Sequence, residues 1–275
     1  MDVFAYAKLN LALKVAGRRA DGYHELDMVM QEISLRDEIS IQKSGTLTVE
    51  SDKPLPPDNT LIKAARVFFE YTRVRGGADI RVQKNIPAQA GLGGGSSDAA
   101  AVLKALNSLY GAGLQTEELI SLGRQVGADV PFFIAGGCAR ARGTGEILAP
   151  LANNLRVVFL LAKPAGGVNT IEAYEAYHRL QKSETDIGGV IAALKAGDIG
   201  RYAKAAANDL APAAMHLCPD IENILSQIRD AACALVTGSG SCVFGAYANK
   251  TAALIEQERL KEYPFIDFIY VAESR

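Results

Sequence analysis

The 275-residue sequence has few of the residues that build metal and thiol centres. It contains three histidines and four cysteines, and no two cysteines form a C-x-x-C pair. The wide separation of the histidines argues against a histidine-rich metal site and, more weakly, against Ser-His-Asp hydrolysis; the G-x-S-x-G elbow is also missing. We therefore predict no metal-ligating cluster, and we expect the cysteines to be reduced and mostly buried.

The sequence also has a small net charge and lacks long apolar runs. The 29 basic and 31 acidic residues leave a net charge of -2, which gives no strong field to draw the chain onto nucleic acid or membrane. Any anionic ligand must therefore be held by local groups. No stretch approaches the ~18 apolar residues of a membrane span, and the N-terminus lacks signal-peptide features, so we expect a cytoplasmic protein.

The apolar pattern predicts strands interleaved with helices. Alternation over residues 3–15 predicts a half-buried first strand, followed by a strand at 28–35, two short strands between 38 and 50, and another at 78–86. Helical spacing predicts helices from about residue 60, over 97–110 up to Gly111, and from 116 to about 127. Residues 156–164 predict a buried strand after a linker at 150–154.

This order of elements predicts an α+β protein with two domains. The first domain is predicted to span residues 1–150 and the second to span 151–275. The last strand either stays in the second domain or returns to the first.

The segment with the clearest chemistry is PAQAGLGGGSSDAA at residues 87–100, between a predicted strand and an apolar helix. Glycines permit positive φ and close backbone approach, so successive N–H groups can form an anion nest, and a helix start adds unpaired donors. The segment is neither a Walker A motif nor G-x-G-x-x-G. A flexible linker is the alternative, although a linker does not need so abrupt an apolar helix. Phosphate binding is predicted for Gly91, Leu92, Gly93, Gly94, Gly95, Ser96 and Ser97.

Three polar residues at the predicted helix start have different expected roles. Ser96 and Ser97 can each bind a phosphate oxygen or a magnesium ion, or serve as the helix N-cap. Asp98 is expected to stabilise the helix dipole, because a carboxylate aimed into the nest would repel phosphate. Asp98 is therefore left out of the predicted chemistry.

Charged residues also occur in two apolar settings. Lys8 and Asn10 are two residues apart on the first strand, so their side chains share one face at roughly 7 Å. A solvent-facing strand explains them slightly better from the strand alone. Asp129 in GADVPFF is either buried with a partner or poised in a cleft.

Three segments, AKLNLAL with RRADGYHEL, PAQAGLGGGSSDAA and TGSGSCVFG, together resemble the GHMP kinases over essentially the whole chain. The resemblance implies a two-domain fold with its active site in the interdomain cleft, and ATP with Mg²⁺ as phosphoryl donor. The start of the chain is similar to members that phosphorylate the 2-hydroxyl of a methylerythritol carrying a cytidine diphosphate, in non-mevalonate isoprenoid biosynthesis. The implied partner is this small molecule, with no nucleic acid or membrane, and the chain is expected to be a monomer or weak homodimer.

The resemblance also implies residue roles. Asp129 matches the catalytic aspartate and Lys8 the lysine near it, while Gly238 and Gly240 match a motif that an ordinary hairpin turn explains nearly as well. The implied binding positions are Asn59 and Lys84 in the nucleotide pocket, Asn10 on the substrate, Tyr23 and His24 in the motif that holds cytosine, Tyr174 on the other side of that ring, and Thr170 near a phosphate.

Two other functions are compatible with parts of the pattern. One is a kinase of the same family acting on a homoserine-like or mevalonate-like alcohol, against which RRADGYHEL argues. The other is a nucleotide-binding protein without transferase activity, which the presence of both Lys8 and Asp129 makes less attractive.

Overall fold

The computed structural model describes residues 1–20, 22–178, 180 and 185–275, so Asp21 of the RRADGYHEL segment lies outside it. The chain packs into two compact units, which confirms the predicted two-part α+β architecture. Unit 1 comprises Met1–Ala7, Leu35–Ile86 and Gly93–Gly136. Unit 2 comprises Lys8–Ser34, Pro87–Leu92 and Gly137–Arg275.

The units are discontinuous in sequence. Strands β1 (Asp2–Arg18) and β2 (His24–Ser44) each contribute residues to both units. The predicted boundary at residue 150 lies inside unit 2. The compact units and the predicted domains 1–150 and 151–275 are thus different divisions of the chain, and the predicted division stays a prediction.

Unit 1 combines a small mixed sheet with four helices. The second half of β2 pairs antiparallel with β4, with Glu38 opposite Gln83, and β3 pairs parallel with β4. Helix α2 packs on α1, α3 and α4. The elements are β3 (Thr48–Ser51), α1 (Thr60–Thr72), β4 (Gly77–Gln83), α2 (Gly94–Tyr110), α3 (Thr116–Val126) and α4 (Val130–Ala135).

The helix ends of unit 1 follow local sequence signals. Asn59 begins α1, and its side-chain oxygen accepts a hydrogen bond from the Ile62 N–H at 3.1 Å. Helix α2 ends at Gly111, whose φ of 61° suits glycine, as predicted. The helix begins at Gly94 rather than at the predicted Ser97, so the glycines form its first turn. Of the two short strands predicted between 38 and 50, the first is part of β2, which runs unbroken to Ser44, and the second corresponds to β3.

Unit 2 contains a four-stranded antiparallel sheet in the order β10-β7-β9-β8, and the first half of β2 pairs with β5, which pairs with β6. The last strand lies in this sheet beside β7, and Arg275 beyond it donates its N–H to the Glu32 carbonyl at 3.0 Å. The elements are β5 (Cys138–Gly143), β6 (Ile147–Pro150), β7 (Val158–Lys163), α5 (Thr170–Tyr177), α6 (Ile187–Ala196), α7 (Ile199–Ala205), α8 (Ala211–Leu217), α9 (Asp220–Gln227), β8 (Cys233–Val236), β9 (Val243–Tyr247), α10 (Lys250–Leu260) and β10 (Phe268–Glu273).

The core of unit 2 forms around β7, in which residues 159–162 are fully buried and Val158 is partly buried. All four cysteines are free thiols. Burial raises the pKa of Cys138, Cys233 and Cys242 to about 12, so these thiols stay protonated and unreactive near neutral pH.

Two further findings concern the described residues as a whole. No helix among them has both the length and the apolar character needed to cross a bilayer. The same residues contain no group of three or more histidine, cysteine or acidic side chains placed to hold a metal ion.

Candidate active site

The first half of the glycine-rich segment, in unit 2, is fixed to the turn between β8 and β9. The N–H groups of Ser241 and Cys242 donate to the carbonyls of Gln89 and Ala90, each at 3.2 Å. Gly91 has φ of 70°, and a Cβ there would collide with the Thr237 carbonyl. This position therefore requires glycine for both its dihedral angle and its close approach.

The turn between β8 and β9, predicted either as an ordinary hairpin or as part of a site, is a hairpin that also contacts the glycine-rich segment. It connects the antiparallel strands β8 and β9, with Val236 opposite Val243. Gly238 has φ of 58°, and a Cβ there would lie 3.2 Å from the Gly91 carbonyl oxygen. The turn thus holds the backbone of the glycine-rich segment in place.

Lys8 and Asn10 lie on β1 in unit 2 and are both buried, so the solvent-facing strand is the wrong interpretation. The Lys8 ammonium donates to Oδ1 of Asn10, which confirms that they share a face. The Asn10 N–H donates to Oγ1 of Thr237 at 3.0 Å, and the Lys8 N–H donates to the Leu92 carbonyl at 3.0 Å. These bonds attach the Lys8 backbone to the glycine-rich segment.

The second half of that segment begins α2 in unit 1. Gly93 is the N-cap with φ of 73°, and its carbonyl accepts the Ser97 N–H at 2.9 Å. The N–H groups of the first helical turn, at Gly94, Gly95 and Ser96, have no acceptor within the helix. They form the positive end of a 17-residue helix, which is the arrangement that binds phosphate oxygens.

The two serines have different surroundings in unit 1. Ser97 is 3% exposed and donates its hydroxyl to the Tyr6 carbonyl at 2.6 Å, so this side chain ties α2 to β1. Ser96 is half-buried, and a Cβ at Gly127 would lie 3.8 Å from its Oγ. Neither serine is the N-cap. Ser96 is the hydroxyl placed beside the turn that leads to Asp129.

Asp129 occupies the N-cap position of α4 and is half-buried, but its side chain makes no capping hydrogen bond in the described structure. The helix that follows is buried from Val130 to Ile134. Lys104 of α2 donates to the Phe133 carbonyl at 2.9 Å, which links the two helices. The Asp129 carboxylate thus lies at the start of a buried helix, α4, but does not cap that helix.

Lys84, predicted to line the nucleotide pocket, lies in a buried cluster of charges in unit 1. Its ammonium bonds Oδ2 of Asp98 at 2.5 Å and also Oδ2 of Asp37. Asp37 accepts the N–H groups of Asn85 at 2.5 Å and Ile86 at 2.8 Å through its other oxygen. The dipole role expected for Asp98 is wrong, because α2 begins at Gly94 and has no acidic residue in its first turn; Asp98 instead pairs with Lys84. Asp37 was missed, and its signal is an acidic residue within an apolar alternating run.

The cluster changes the proton affinity of its members. Burial raises the pKa of Asp98 to about 7, opposed by Lys84 and supported by Asp37. Burial alone would lower the pKa of Lys84, but Asp98 and Asp37 raise it. The second oxygen of Asp98 is buried without a hydrogen-bond partner in the described part of the chain. Asp98 depends on Lys84 to remain ionised.

The other predicted nucleotide residue, Asn59, is engaged as a helix cap. Besides accepting from Ile62, its amide donates to the Pro56 carbonyl at 3.1 Å. In unit 1, Thr60 next to it donates its hydroxyl to the Gly95 carbonyl at 2.6 Å. The predicted contact of Asn59 with a nucleotide stays a prediction.

The residues predicted to hold a pyrimidine come together in unit 2. His24 stacks on Tyr174 of α5 with ring centroids 4.4 Å apart and 15° between the planes. Tyr23 is 66% exposed. Thr170, at the start of α5, shares a 2.9 Å hydrogen bond with Ser239. His178 was missed by sequence reasoning, yet its Nε2 lies 2.8 Å from Nε2 of His24.

Comparison with known proteins matches two family models. Residues 59–137 match the model described as GHMP kinases N terminal domain, and residues 190–264 match GHMP kinases C terminal. A 4-diphosphocytidyl-2-C-methyl-D-erythritol kinase of Caldicellulosiruptor saccharolyticus is 41% identical over 271 residues, covering 96% of this chain and 93% of the relative. One from Desulfitobacterium hafniense is 43% identical over 250 residues, covering 89% and 86%.

A solved structure is similar over the same extent. The crystal structure of a 4-(cytidine 5'-diphospho)-2C-methyl-D-erythritol kinase superposes with a TM-score of 0.85 at 34% identity, covering 100% of this chain and 99% of that chain.

Removal of the lysine in the buried charge cluster should destabilise the fold. We expect Lys84→Met to lower the free energy of unfolding by about 3 to 5 kcal/mol at pH 7.5, because two buried carboxylates lose their counter-charge. Urea denaturation followed by circular dichroism measures the change. Lys63→Met is the control, since Lys63 is 45% exposed beside Asp58 and should cost about 0 to 1 kcal/mol. Equal losses in the two variants would contradict the assignment.

Proposed function

Because this chain belongs to the GHMP kinase family, we propose that it transfers the γ-phosphoryl group of ATP to the 2-hydroxyl of 4-diphosphocytidyl-2-C-methyl-D-erythritol. The chain is an ATP-dependent kinase of a small molecule. The observation that carries the choice of substrate is the identity of about two residues in five with kinases named for it, over nearly the whole chain. The proposed reaction belongs to non-mevalonate isoprenoid precursor biosynthesis.

The glycine-rich segment is proposed to hold the triphosphate. Its supporting features are the helix start at Gly94 and the fixed backbone at Gly91, where main-chain donors stand without side chains in front of them. The first turn of α2 fits phosphate oxygens, and the Ser96 hydroxyl supplies an oxygen of the kind that Mg²⁺ prefers. When bound, Mg²⁺ would supply positive charge that offsets the negative charge of the phosphates. The Ser97 hydroxyl is less suited to a ligand, because it already bonds Tyr6.

Asp129 and Lys8 are proposed to act on the reacting groups. Phosphoryl transfer passes through a loose transition state, so positioning and charge stabilisation dominate. Asp129 orients the substrate hydroxyl and accepts its proton once bond formation is advanced. Lys8 offsets negative charge on the transferring group.

The cytidine diphosphate is assigned to residues of unit 2. Tyr23, His24 and Tyr174 are proposed to hold the pyrimidine, Thr170 to contact a phosphate, and Asn10 to contact the methylerythritol. The aromatic rings of Tyr23, His24 and Tyr174 support stacking on a base. The 4.4 Å contact between His24 and Tyr174 leaves no room for a base between these two rings. A base stacked on Tyr174 must therefore use its other face or displace His24.

The substrate is tested by ADP release with ATP and Mg²⁺. We expect ADP formation to require 4-diphosphocytidyl-2-C-methyl-D-erythritol, with mevalonate and homoserine giving no rate above background. Turnover of mevalonate or homoserine instead would identify another kinase of the family. ATP binding with no alcohol-dependent ADP would identify a non-catalytic nucleotide-binding protein.

Replacement of the proposed base should affect turnover selectively. We expect Asp129→Ala to lower kcat by about 100-fold or more, with ATP affinity changed less than about threefold, because proton acceptance is lost while the phosphate nest remains. Asp129→Asn is the matched control for shape, and it should show a similar loss of kcat. Stopped-flow kinetics and ATP titration measure the two quantities, and an unchanged kcat would remove Asp129 from the mechanism.

Loss of an aromatic ring should affect the pyrimidine end alone. We expect Tyr23→Ala to raise KM for the cytidine substrate by about 5- to 150-fold, which corresponds to about 1 to 3 kcal/mol of stacking. KM for ATP should stay within about twofold. Tyr71→Ala is the control, because Tyr71 is also an exposed tyrosine, at 52%, and lies on α1 of unit 1. A parallel rise in both KM values would contradict the assignment of Tyr23.

A further inference from the structure

His178 joins two of the residues proposed to hold the pyrimidine. It follows the last residue of α5, and its ring centroid lies 4.9 Å from that of His24 with 32° between the planes. The Nε2 atoms of the two imidazoles are 2.8 Å apart. Since His24 also stacks on Tyr174, the three side chains form one cluster, the His24–Tyr174–His178 cluster.

The distance between the nitrogens constrains the protons of the pair. A nitrogen–nitrogen contact of 2.8 Å is a hydrogen bond only if one Nε2 carries a proton and the other offers its lone pair. Two protonated nitrogens would oppose two donors, and two unprotonated nitrogens would oppose two lone pairs. The tautomer of one imidazole is therefore set by the other.

This coupling decides what His24 can offer to a ligand. Nε2 of His24 is occupied by His178, so Nδ1 is the nitrogen left to face a ligand. When His178 donates, neutral His24 carries its proton on Nδ1 and is a donor there. When His178 accepts, Nδ1 of His24 is an acceptor. Cytosine presents acceptors at its ring nitrogen N3 and at O2, whereas N3 of uracil carries a proton and is a donor.

We propose that His178 is a positioning residue for the cytosine base: its Nε2–H holds His24 against Tyr174 and fixes Nδ1–H of His24 as a donor to the base. This inference rests on the proposed function, because the base belongs to the proposed substrate. His178 thereby favours cytosine over uracil without having to touch the base.

Burial and the charges around His24 support its neutral form. Burial, and then the charges of His178 and Arg18, lower the pKa of His24, so His24 is neutral at pH 7.5 and can accept from His178. Arg19 and Glu25 form an ion pair at 3.6 Å on either side of the Tyr23–His24 segment, and their opposite charges largely offset each other. A neutral His24 is the state that the proposed hydrogen bond requires.

Nucleotide binding by the full chain tests the proposal. Isothermal titration calorimetry at pH 7.5 compares cytidine 5′-diphosphate with uridine 5′-diphosphate for the wild type, His178→Ala and His178→Gln. We expect His178→Ala to weaken binding of the cytidine nucleotide about tenfold and of the uridine nucleotide less than twofold. The variant loses the hydrogen bond that orients His24, and a tenfold change is about the contribution of one hydrogen bond. His178→Gln should keep the wild-type preference to within about threefold, because its amide N–H can also donate to His24.

A second histidine provides the control. His216 is exposed on α8 of the same unit, and His216→Ala should leave both affinities unchanged. In the kinase assay, His178→Ala should raise KM for the cytidine substrate about tenfold while kcat and KM for ATP stay within twofold. A purely structural role would move all three together.

The outcomes separate this inference from the proposed function. Equal cytidine-to-uridine preference in wild type and His178→Ala, or a Gln variant no better than the Ala variant, would overturn the role of His178 while leaving the kinase activity standing. Selective nucleotide binding that depends on His178, in a wild type that does not phosphorylate the proposed substrate, would overturn the proposed reaction alone. A wild type without preference for the cytidine nucleotide would overturn the inference.

Discussion

Gly91 has no room for a side chain, and this restriction supports much of the proposed phosphate site. A Cβ at Gly91 would overlap the Thr237 carbonyl, and one at Gly238 would lie only 3.2 Å from the Gly91 carbonyl oxygen. Two peptide segments far apart in sequence can lie this close only if both lack side chains there. The close approach then permits the hydrogen bonds from Ser241 and Cys242 to Gln89 and Ala90. A backbone fixed in this way can present its N–H groups without an entropic cost when an anion binds.

The electrostatic potential at the N-terminus of α2 depends on the pairing of Asp98 with Lys84. The chain has a net charge of only -2, so attraction for phosphate must come from local dipoles. Asp98, which follows the first turn of α2, would weaken that attraction if its charge faced the ligand. Lys84 instead bonds both Asp98 and Asp37, which places a positive charge between the two carboxylates. The N-terminus of α2, which has no acidic residue in its first turn, therefore keeps its positive character beside Asp98.

Local sequence signals predicted what depends on neighbours in the chain. The alternation along β1 predicted that Lys8 and Asn10 share a face, and Gly111 predicted the end of α2. The start of α2 was predicted late because glycine weakens a helix in isolation, whereas here Gly93 in the left-handed region begins it and packing sustains it.

Contacts between distant segments could not be predicted from the sequence alone. Asp37 meets Lys84 across 47 positions, and His24 meets His178 across 154. No periodic pattern encodes such pairs, since each depends on how complete elements pack. Resemblance to a family identified His24 and Lys84 as important, but it did not identify their partners. The structure identifies Asp37 as a partner of Lys84 and His178 as a partner of His24.

Strand β1 explains how one short stretch of chain orders several of the proposed groups. In unit 1 the Tyr6 carbonyl accepts the Ser97 hydroxyl, which ties down the first turn of α2. In unit 2 the Lys8 N–H donates to the Leu92 carbonyl. Tyr6 and Lys8 are two residues apart, so each of these bonds starts from the same extended segment. The strand that carries the Lys8 ammonium is therefore bonded through its backbone to Leu92 in unit 2 and, two residues earlier, to Ser97 in unit 1, so distortion of β1 would disturb the proposed phosphate-binding residues of each unit.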